Sequence, residues 1–431
     1  MPSAMELEER DYFTDRVVLQ DPYDYFAALY SKDAVYQPKI RDVMFVTGFE
    51  EAIQVLRNTA DFSSVIAVTG AAVPLPFVPA GDDISDQLER HRHEIPGSDL
   101  LVTRDGPSHS AVRSLLTTLF VPSRLKANQA YMEELARETV RKVVAGGKCE
   151  LIQDVAVPYV TLVIADLLGV PANDRESFRE IIAAGPPPGN IDAEEKPHSS
   201  AVLEHLARFF AGYVMDRRAT PRTDVLTELA SAKLPDGSTP DLATIVGVAV
   251  FLFAAGQDTS AKLIGNCLRL LTEDKNLQQQ LRQDRSQIPG FIEEVLRLQG
   301  STKVTFRVAR RKTRIGGREI AAGQKLVIAL AAANRDPRRW EDPEEFKLGR
   351  KKIQEHLAFG RGAHTCIGAP LARTEVRALL DQLLQQTSDI SLAVEKHGPP
   401  GKRRLNYEAS FIIRGLENLY LELQPNTVAS S

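Results

Sequence analysis

The feature that most constrains this chain is a glycine-rich stretch around a single cysteine, HLAFGRGAHTCIGAPLARTE, at residues 356–375. Gly360, Gly362 and Gly368 surround Cys366, and glycine lets a backbone turn sharply or approach a ligand closely. After Cys366 the apolar residues recur at helical spacing, with a proline near the start. Cys366 is therefore predicted to precede a helix, whose free N–H groups and dipole favour the thiolate, the form that binds metals.

An isolated cysteine is more often a small buried apolar residue than a ligand. A core cysteine, however, needs no glycine-rich loop with a nearby histidine and arginine. The stretch resembles the haem-binding signature of the cytochrome P-450 superfamily, aromatic-G-x-G-x-H-x-C-x-G, and every defining position is matched: Phe359, Gly360, Gly362, His364, Cys366 and Gly368. The resemblance implies that the Cys366 thiolate is the axial ligand of a haem iron and that Phe359 packs against this ligand.

A second stretch, 241–273, begins with an uncharged run that is shorter than the about 20 residues needed to cross a membrane, so we predict a long buried helix. Within it, AAGQDTS resembles the family's oxygen-activation motif, (A/G)-G-x-(D/E)-T. The matching residues are Ala255, Gly256, Asp258 and Thr259. A small residue and a glycine would leave room above a haem, and the threonine hydroxyl can bond within the preceding turn or to water. The resemblance implies that Thr259 hydrogen-bonds where oxygen is activated and that Asp258 relays protons.

Two further motifs resemble the family's contacts to the haem propionates. His109 and Arg113 are four residues apart on a predicted helix, so they share one face. Such a pair is usually a solvated surface, but here it matches the family's H-x-x-x-R, and cationic donors facing a carboxylate make charge-assisted hydrogen bonds. Arg307, in a β-like segment, matches the arginine that binds the second propionate. Because there is no C-x-x-C-H sequence, the cofactor is predicted to be haem b without covalent attachment.

Glu294 and Arg297 lie three residues apart on a predicted helix and can pair. A surface pair of this kind contributes only about 0–1 kcal/mol. The resemblance implies a larger role, because E-x-x-R is the family's structural pair, joined by an arginine of a later A-N-R-D-P segment. In this chain that residue is Arg335.

Composition and pattern favour a soluble enzyme. The resemblance implies a mainly α fold with a smaller β-rich portion, the cytochrome P-450 fold, and we expect a single domain over 1–431. The formal net charge of −4 argues against a nucleic-acid binder. No two of the three cysteines lie within metal-clip spacing, so neither a zinc site nor a disulfide framework is suggested. The first 18 residues show neither the pattern of a signal peptide nor the length of a membrane anchor, so we expect a soluble protein. We expect a cytoplasmic monomer.

The predicted reaction is monooxygenation, in which one atom of O2 enters an apolar organic substrate. Electrons would come from a ferredoxin and a separate NAD(P)H-dependent reductase, since the chain contains no flavin or iron–sulfur segment. A basic patch is the hypothetical docking site: Arg113, Arg124, Lys126, Arg350, Lys351, Lys352 and Arg361. Two alternatives remain open, a haem-thiolate peroxygenase that uses hydrogen peroxide and a non-enzymatic haem sensor. The Asp258–Thr259 pair argues for the O2 route.

The substrate pocket is the least defined part. The long segment 63–105 is predicted to fold over the ligand, and two helices around a flexible connector at 185–197 would form a lid. The segment 405–423 is predicted to form a hairpin that dips into the pocket. The candidate pocket residues are Phe77, Phe251, Ala255, Val304, Thr305 and Phe411. They suggest an apolar substrate, and a terpene, a steroid, a fatty acid or an aromatic compound all remain open.

Overall fold

The computed structural model describes residues 4–117, 119–183, 189–191 and 199–426. Helices form the larger part, and several begin at aspartates. Asp241 and Asp274 accept hydrogen bonds from backbone N–H groups of the first helical turn, which satisfies donors that a helix end leaves free. The helices are Ala4–Glu8, Arg16–Gln20, Tyr23–Tyr30, Phe49–Arg57, Ser85–Arg90, Gly106–Ser114, Pro122–Gly146, Val157–Leu167, Arg175–Ala183, Ser199–Ala219, Val225–Ser231, Leu242–Glu273, Lys275–Gln283, Ile288–Gln299, Leu330–Ala333, Ala369–Gln386 and Val394–His397.

The smaller β portion consists, within the described residues, of three sheets. Its strands are β1 Val35–Tyr36, β2 Val43–Val46, β3 Phe62–Ser63, β4 Lys148–Glu150, β5 Thr305–Ala309, β6 Thr313–Ile315, β7 Arg318–Ile320, β8 Lys325–Ile328, β9 Thr387–Leu392 and β10 Tyr420–Pro425. The largest sheet has the order β1-β2-β8-β5-β3, a second has β4-β10-β9, and β6 pairs with β7. All pairs are antiparallel except β2 with β8. The predicted mainly α architecture is confirmed.

The segment 405–423 does not form the regular hairpin that the sequence predicts. Its strands are reduced to a single bridge between Tyr407 and Leu416. The chain instead continues into β10, which pairs with β9 and with the distant β4. Because β4 is contributed from more than two hundred residues earlier, alternation within the C-terminal segment could not reveal its partner.

The helix Leu242–Glu273, called here the core helix, organises the packing. It contacts the helices Val157–Leu167, Ser199–Ala219, Ile288–Gln299 and Ala369–Gln386. In the described part of the chain it is the one helix long and apolar enough to cross a membrane. Here its apolar side chains pack against protein on several sides, as predicted for a buried helix.

The predicted lid corresponds to the helices Arg175–Ala183 and Ser199–Ala219. Of the connector between them, only 189–191 belongs to the described residues. This short piece pairs with the C-terminal segment, where the Phe411 N–H donates to the Gly189 carbonyl at 2.9 Å. The lid connector and the C-terminal segment are therefore joined at this point.

Candidate active site

Cys366 closes a tight loop immediately before the helix Ala369–Gln386, as predicted. Gly362 has a φ angle of +76°, which favours glycine. A Cβ atom on Gly362 would also lie 2.4 Å from the Leu56 carbonyl oxygen, so the loop can pack against its neighbour only without a side chain there. The Cys366 N–H donates to the Phe359 carbonyl at 2.9 Å. The loop thereby fixes the direction of the sulfur.

Two opposing effects act on the pKa of the Cys366 thiol. Burial raises the pKa of its thiol, whereas the N–H groups of Gly368 and Ala369 and the charge of Arg113 lower it. Burial is the larger effect, so the helix end alone does not produce the thiolate that the sequence predicts. The Cys366 side chain is still accessible on one side. A metal cation arriving there would favour the thiolate.

An ionic network next to the Cys366 loop was not predicted from the sequence. Glu293 accepts hydrogen bonds from Arg373 at 2.5 and 2.9 Å and lies 3.1 Å from His356 Nε2. Burial opposes the charge of Glu293, but the bonds from Arg373 and His356 bring its pKa to about 2. The Arg373 guanidinium also lies 4.6 Å from the centre of the Phe359 ring. The adjacent Glu293 and Glu294 could have indicated this network in the sequence, because two carboxylates on an apolar helix need two sets of partners.

The structure brings His109, Arg113, Arg307 and His364 into one basic cluster near Cys366. The rings of His109 and His364 lie 4.1 Å apart. Burial, followed by the charges of Arg307 and His109, lowers the pKa of His364 to about 3. Burial and the charge of Arg113 lower the pKa of His109, and burial lowers the pKa of Arg307 to about 10. The charge of nearby Asp105 raises the pKa values of His109, Arg307 and His364 but does not offset the effect of burial.

Unsatisfied donors in this cluster fit an anionic ligand. The Nε2 atom of His109 is buried without a hydrogen-bond partner among the described residues. Arg307 donates to the Thr305 hydroxyl and the Phe306 carbonyl, at 3.2 and 2.7 Å, and no described carboxylate bonds to it. Arg113 donates to the Thr365 carbonyl at 2.6 Å, next to the cysteine. The carboxylates of a haem would supply the missing acceptors, so the residues present fit this group.

Phe251, Ala255 and Thr259 share one face of the core helix. Ala255 is exposed and the other two are half-buried, although the helix is packed within the protein, so this face borders an internal space. The Thr259 hydroxyl donates to the Ala255 carbonyl at 3.0 Å. The Ser301 hydroxyl in turn donates to the Thr259 carbonyl at 2.7 Å. The position of Thr259 is thus held from both sides.

Gly256 does not lie on this face, whereas Asp258, three residues after Ala255, lies at its edge. A Cβ atom on Gly256 would lie 2.7 Å from the Ile164 Cδ1 atom, so this glycine permits close packing of two helices. That this glycine leaves room above a haem stays a prediction, whereas Ala255 is exposed on the open face. The Asp258 carboxylate bonds to Lys262 and not to the Thr259 hydroxyl.

The E-x-x-R pair is buried, but its third member is not Arg335. Glu294 accepts from Arg297 at 2.7 and 2.9 Å and from Arg350 at 2.9 Å. Arg335 instead lies over the Tyr23 ring at 3.7 Å and pairs with the exposed Glu344. The assignment of Arg335 was wrong because its side chain turns toward an aromatic ring, while Arg350 reaches the carboxylate.

Three residues of the predicted basic patch have side chains that already bond to other groups of the protein. Arg350 is buried against Glu294, Arg113 points inward, and Arg124 pairs with Glu228. Of the other four residues of the patch, Lys126, Lys351 and Lys352 are exposed and Arg361 is half-buried.

The candidate pocket residues are only partly brought together. Val304 is fully buried, and Phe411 and Phe77 pack against the same apolar cluster. The Phe411 ring also contacts Phe306 at 6.1 Å, and Thr305 accepts from Arg307. Phe77 stacks on His91 at the surface, with ring centres 5.1 Å apart.

Comparisons with known proteins place this geometry in a family. The cytochrome P450 family model matches residues 195–388. The chain is 32% identical to cytochrome P450 109 of Bacillus spizizenii over 305 residues, which cover 69% of this chain and 74% of the relative. The substrate-free structure of Mycobacterium marinum cytochrome P450 CYP150A6 is 44% identical, with 97% of this chain and 99% of that chain covered and a TM-score of 0.91.

This chain is a cytochrome P450. Cytochrome P450s are oxidoreductases, and their haem iron carries a cysteine thiolate ligand. A more distant member of the family, CYP109E1 of Bacillus megaterium solved with corticosterone, is 26% identical, with 94% of this chain and 98% of that chain covered and a TM-score of 0.79. The prediction of a P450 monooxygenase is thereby confirmed at the level of the family, and the sensor alternative loses its support.

Proposed function

We propose that this P450 activates O2 with electrons from a ferredoxin and inserts one oxygen atom into an apolar, ring-containing substrate. The observation that carries the proposal is that the chain has both an accessible sulfur at Cys366 and an open helix face that bears Thr259. The presence of Asp258 beside Thr259 favours the O2 route over the peroxygenase alternative, since hydrogen peroxide needs no proton relay.

The cofactor is proposed to be haem b, bound without a covalent link. Cys366 would ligate the iron, and His109, Arg113 and Arg307 would bond the propionates. When bound, the haem supplies the one-electron chemistry that activates O2. The chain provides the sulfur ligand, neutralises the carboxylates and excludes water, and Thr259 holds a hydroxyl at the open face of the core helix. Asp258 supplies protons to this face.

Arg307→Gln is expected to accelerate haem loss. Losing one buried charge-assisted hydrogen bond costs about 1.5–3 kcal/mol, so haem should transfer to apomyoglobin about 10- to 100-fold faster. Arg311→Gln is the matched control, because the Arg311 side chain is 48% exposed and pairs with surface aspartates. Equal transfer rates in the two variants would remove Arg307 from the proposed haem contacts.

Electrons are proposed to enter at the residues of the basic patch that remain at the surface. Lys126, Lys351, Lys352 and Arg361 supply positive charge for an acidic ferredoxin, and complementary charge speeds association.

We further propose that the enzyme is a cytoplasmic monomer with a single domain. One apolar cluster that includes residues from Met132 to Leu423 supports the single domain.

The proposed substrate class is based on the apolar residues around the open face and on the ligands with which relatives were solved. CYP109E1 was solved with corticosterone and with testosterone, and P450BioI with a hexadecenoic acid carried on an acyl carrier protein. Because Phe251 and Ala255 present an aromatic ring and a small side chain on the open face, we favour a ring compound over an acyl chain. A screen for displacement of iron-bound water, read as a spectral shift of the haem, tests this, with steroids expected to bind more tightly than free fatty acids.

Thr259→Ala is expected to uncouple NADH oxidation from product formation. The variant removes the hydroxyl at the open face, so hydrogen peroxide release should rise several-fold at the expense of hydroxylated product, a fraction of the about 100-fold typical of proton-transfer groups. Thr272→Ala is the control, since this hydroxyl also bonds back within the core helix, to the Arg269 carbonyl at 2.7 Å. Tight coupling in Thr259→Ala would contradict the proposed role.

A further inference from the structure

Glu293 is joined to the cysteine loop through His356. The Nε2 atom of His356 lies 3.1 Å from a carboxylate oxygen of Glu293, and its Nδ1 atom accepts from the Ala358 N–H at 3.2 Å. Because Nδ1 is an acceptor, Nε2 carries the ring hydrogen and donates it to Glu293. The residue after Ala358 is Phe359, whose carbonyl accepts from the Cys366 N–H at 2.9 Å. A single imidazole ring and a short stretch of backbone therefore separate this carboxylate from the cysteine.

Arg373 makes a second connection between Glu293 and the loop. Its guanidinium donates two hydrogen bonds to Glu293, at 2.5 and 2.9 Å. It also lies 4.6 Å from the centre of the Phe359 ring, a distance at which a cation is attracted to an aromatic face. Burial raises the pKa of the Cys366 thiol, and the charge of Arg373 is one of those that oppose this rise. The charge of Arg373 therefore acts on the sulfur.

Glu293 holds this cation and offsets its charge. Burial would raise the pKa of Glu293, but the bonds from Arg373 and then from His356 bring it to about 2, so the carboxylate is ionised at neutral pH. The Glu293 side chain is 8% exposed and that of Arg373 is 35% exposed. If either partner is removed, the charge of the other is left uncompensated next to the loop.

An uncompensated charge at this position changes how readily the iron is reduced. Reduction of a ferric haem adds one electron, so a nearby cation favours the reduced state and a nearby anion opposes it. Charge and hydrogen bonding around the axial ligand are among the means by which a protein sets the potential of a haem. Groups that contact a metal ligand from behind commonly tune the metal in this way.

We propose that Glu293 is a positioning residue of this P450 and sets the reduction potential of the haem by holding Arg373 and the loop before Cys366. In the step concerned, one electron passes from the ferredoxin to the ferric iron, and no bond to Glu293 or Arg373 forms or breaks. Ionised Glu293 cancels part of the Arg373 charge and so keeps the potential lower than the arginine alone would set it. The proposal rests on the ligation of the haem iron by Cys366 proposed above.

Glu293→Gln and Arg373→Gln should shift the potential in opposite directions. The haem-loaded proteins are titrated with dithionite and redox dyes at pH 8, and the ferric and ferrous fractions are read from the haem absorption spectrum. Glu293→Gln leaves the cation uncompensated, so the equilibrium constant for reduction should rise about tenfold, or about 59 mV for a one-electron couple. Arg373→Gln leaves the anion uncompensated, so this constant should fall about tenfold. The double variant should return to within about threefold of the wild type.

Arg377→Gln is the matched control. Arg377 lies one turn after Arg373 on the same helix, farther along the chain from Cys366, and both line a surface cavity of about 300 Å³. Its side chain is 44% exposed and pairs at 4.0 Å with the exposed Glu133, and solvent screens an exposed charge. The equilibrium constant for reduction should stay within twofold of the wild type in this variant.

The opposite signs separate the effect of charge from damage to the loop, which would move both single variants the same way. Shifts of the same sign, or an unchanged potential in Arg373→Gln, overturn the proposal. If Glu293→Gln is recovered without haem, the double variant decides, since a potential equal to that of Arg373→Gln removes Glu293 from the account. A reduced wild-type protein that lacks the thiolate band under carbon monoxide overturns ligation by Cys366, whereas unchanged potentials with that band present overturn only the role of Glu293.

Discussion

Cys366→Ser is expected to abolish NADH-driven oxygen uptake, with a loss of more than about 100-fold, since residues that merely support a metal ligand already cost 10- to 100-fold. A serine hydroxyl cannot replace a thiolate as an electron-donating ligand of haem iron. Fold and haem content should be far less affected, because the basic cluster of His109, Arg113 and Arg307 is unchanged. The measurement is oxygen uptake per haem with ferredoxin and reductase.

Cys149→Ser is the control for this experiment. Burial raises the pKa of Cys149 to about 12, so its thiol is not ionised at neutral pH, and Cys149 lies in β4, opposite Leu421 of β10. This variant should retain wild-type uptake. Activity that survived in Cys366→Ser and disappeared in Cys149→Ser would reverse the assignment.

Glu294→Ala is expected to lower the free energy of unfolding by about 3–5 kcal/mol, because it leaves Arg297 buried without its carboxylate. The side chains of Arg297 and Glu294 are 0% and 1% exposed, so water cannot take over the lost bonds. Little haem-loaded protein should be recovered. Urea denaturation of the purified variant, followed by haem absorbance and by circular dichroism, measures the effect.

Glu344→Ala provides the matched comparison for this variant. Glu344 also pairs with an arginine of the network region, Arg335, but its side chain is 69% exposed. An exposed pair contributes about 0–1 kcal/mol, so this change should be small. Similar losses in both variants, or full haem content in Glu294→Ala, would contradict a buried structural pair.

The sequence predicted those parts of the site that depend on contiguous residues. The loop before Cys366, the helix that follows it and the helix pair Glu294–Arg297 each follow from local spacing, and the structure has them at the predicted positions. The aligned face of Phe251, Ala255 and Thr259 likewise follows from helical periodicity.

Contacts made across long sequence distances could not be predicted in this way. Arg335 and Arg350 are both arginines of the segment before the cysteine loop, and only their side-chain directions decide which one reaches Glu294. The link between Lys262 and Glu408 depends on a loop 146 positions later in the chain and on the missing side chain of Gly415. Neither the Arg350–Glu294 contact nor the Lys262–Glu408 contact can be predicted from spacing along the sequence.

The pKa of Cys366 shows a second limit. The helix end lowers the pKa as the sequence suggests, but burial raises it by more. Burial depends on the surrounding fold and on what occupies the accessible side of the sulfur, which a motif does not reveal. The ionised sulfur therefore belongs to the protein with its iron and not to the loop alone.

The most direct test of this account is the absorption spectrum of the reduced, haem-loaded wild-type protein under carbon monoxide. Ligation of the iron by the Cys366 thiolate predicts the strongly red-shifted Soret band of a thiolate–haem–carbon monoxide complex, and this band should be absent from Cys366→Ser. A folded wild-type protein that showed only the shorter-wavelength band of a haem without a thiolate ligand would contradict it.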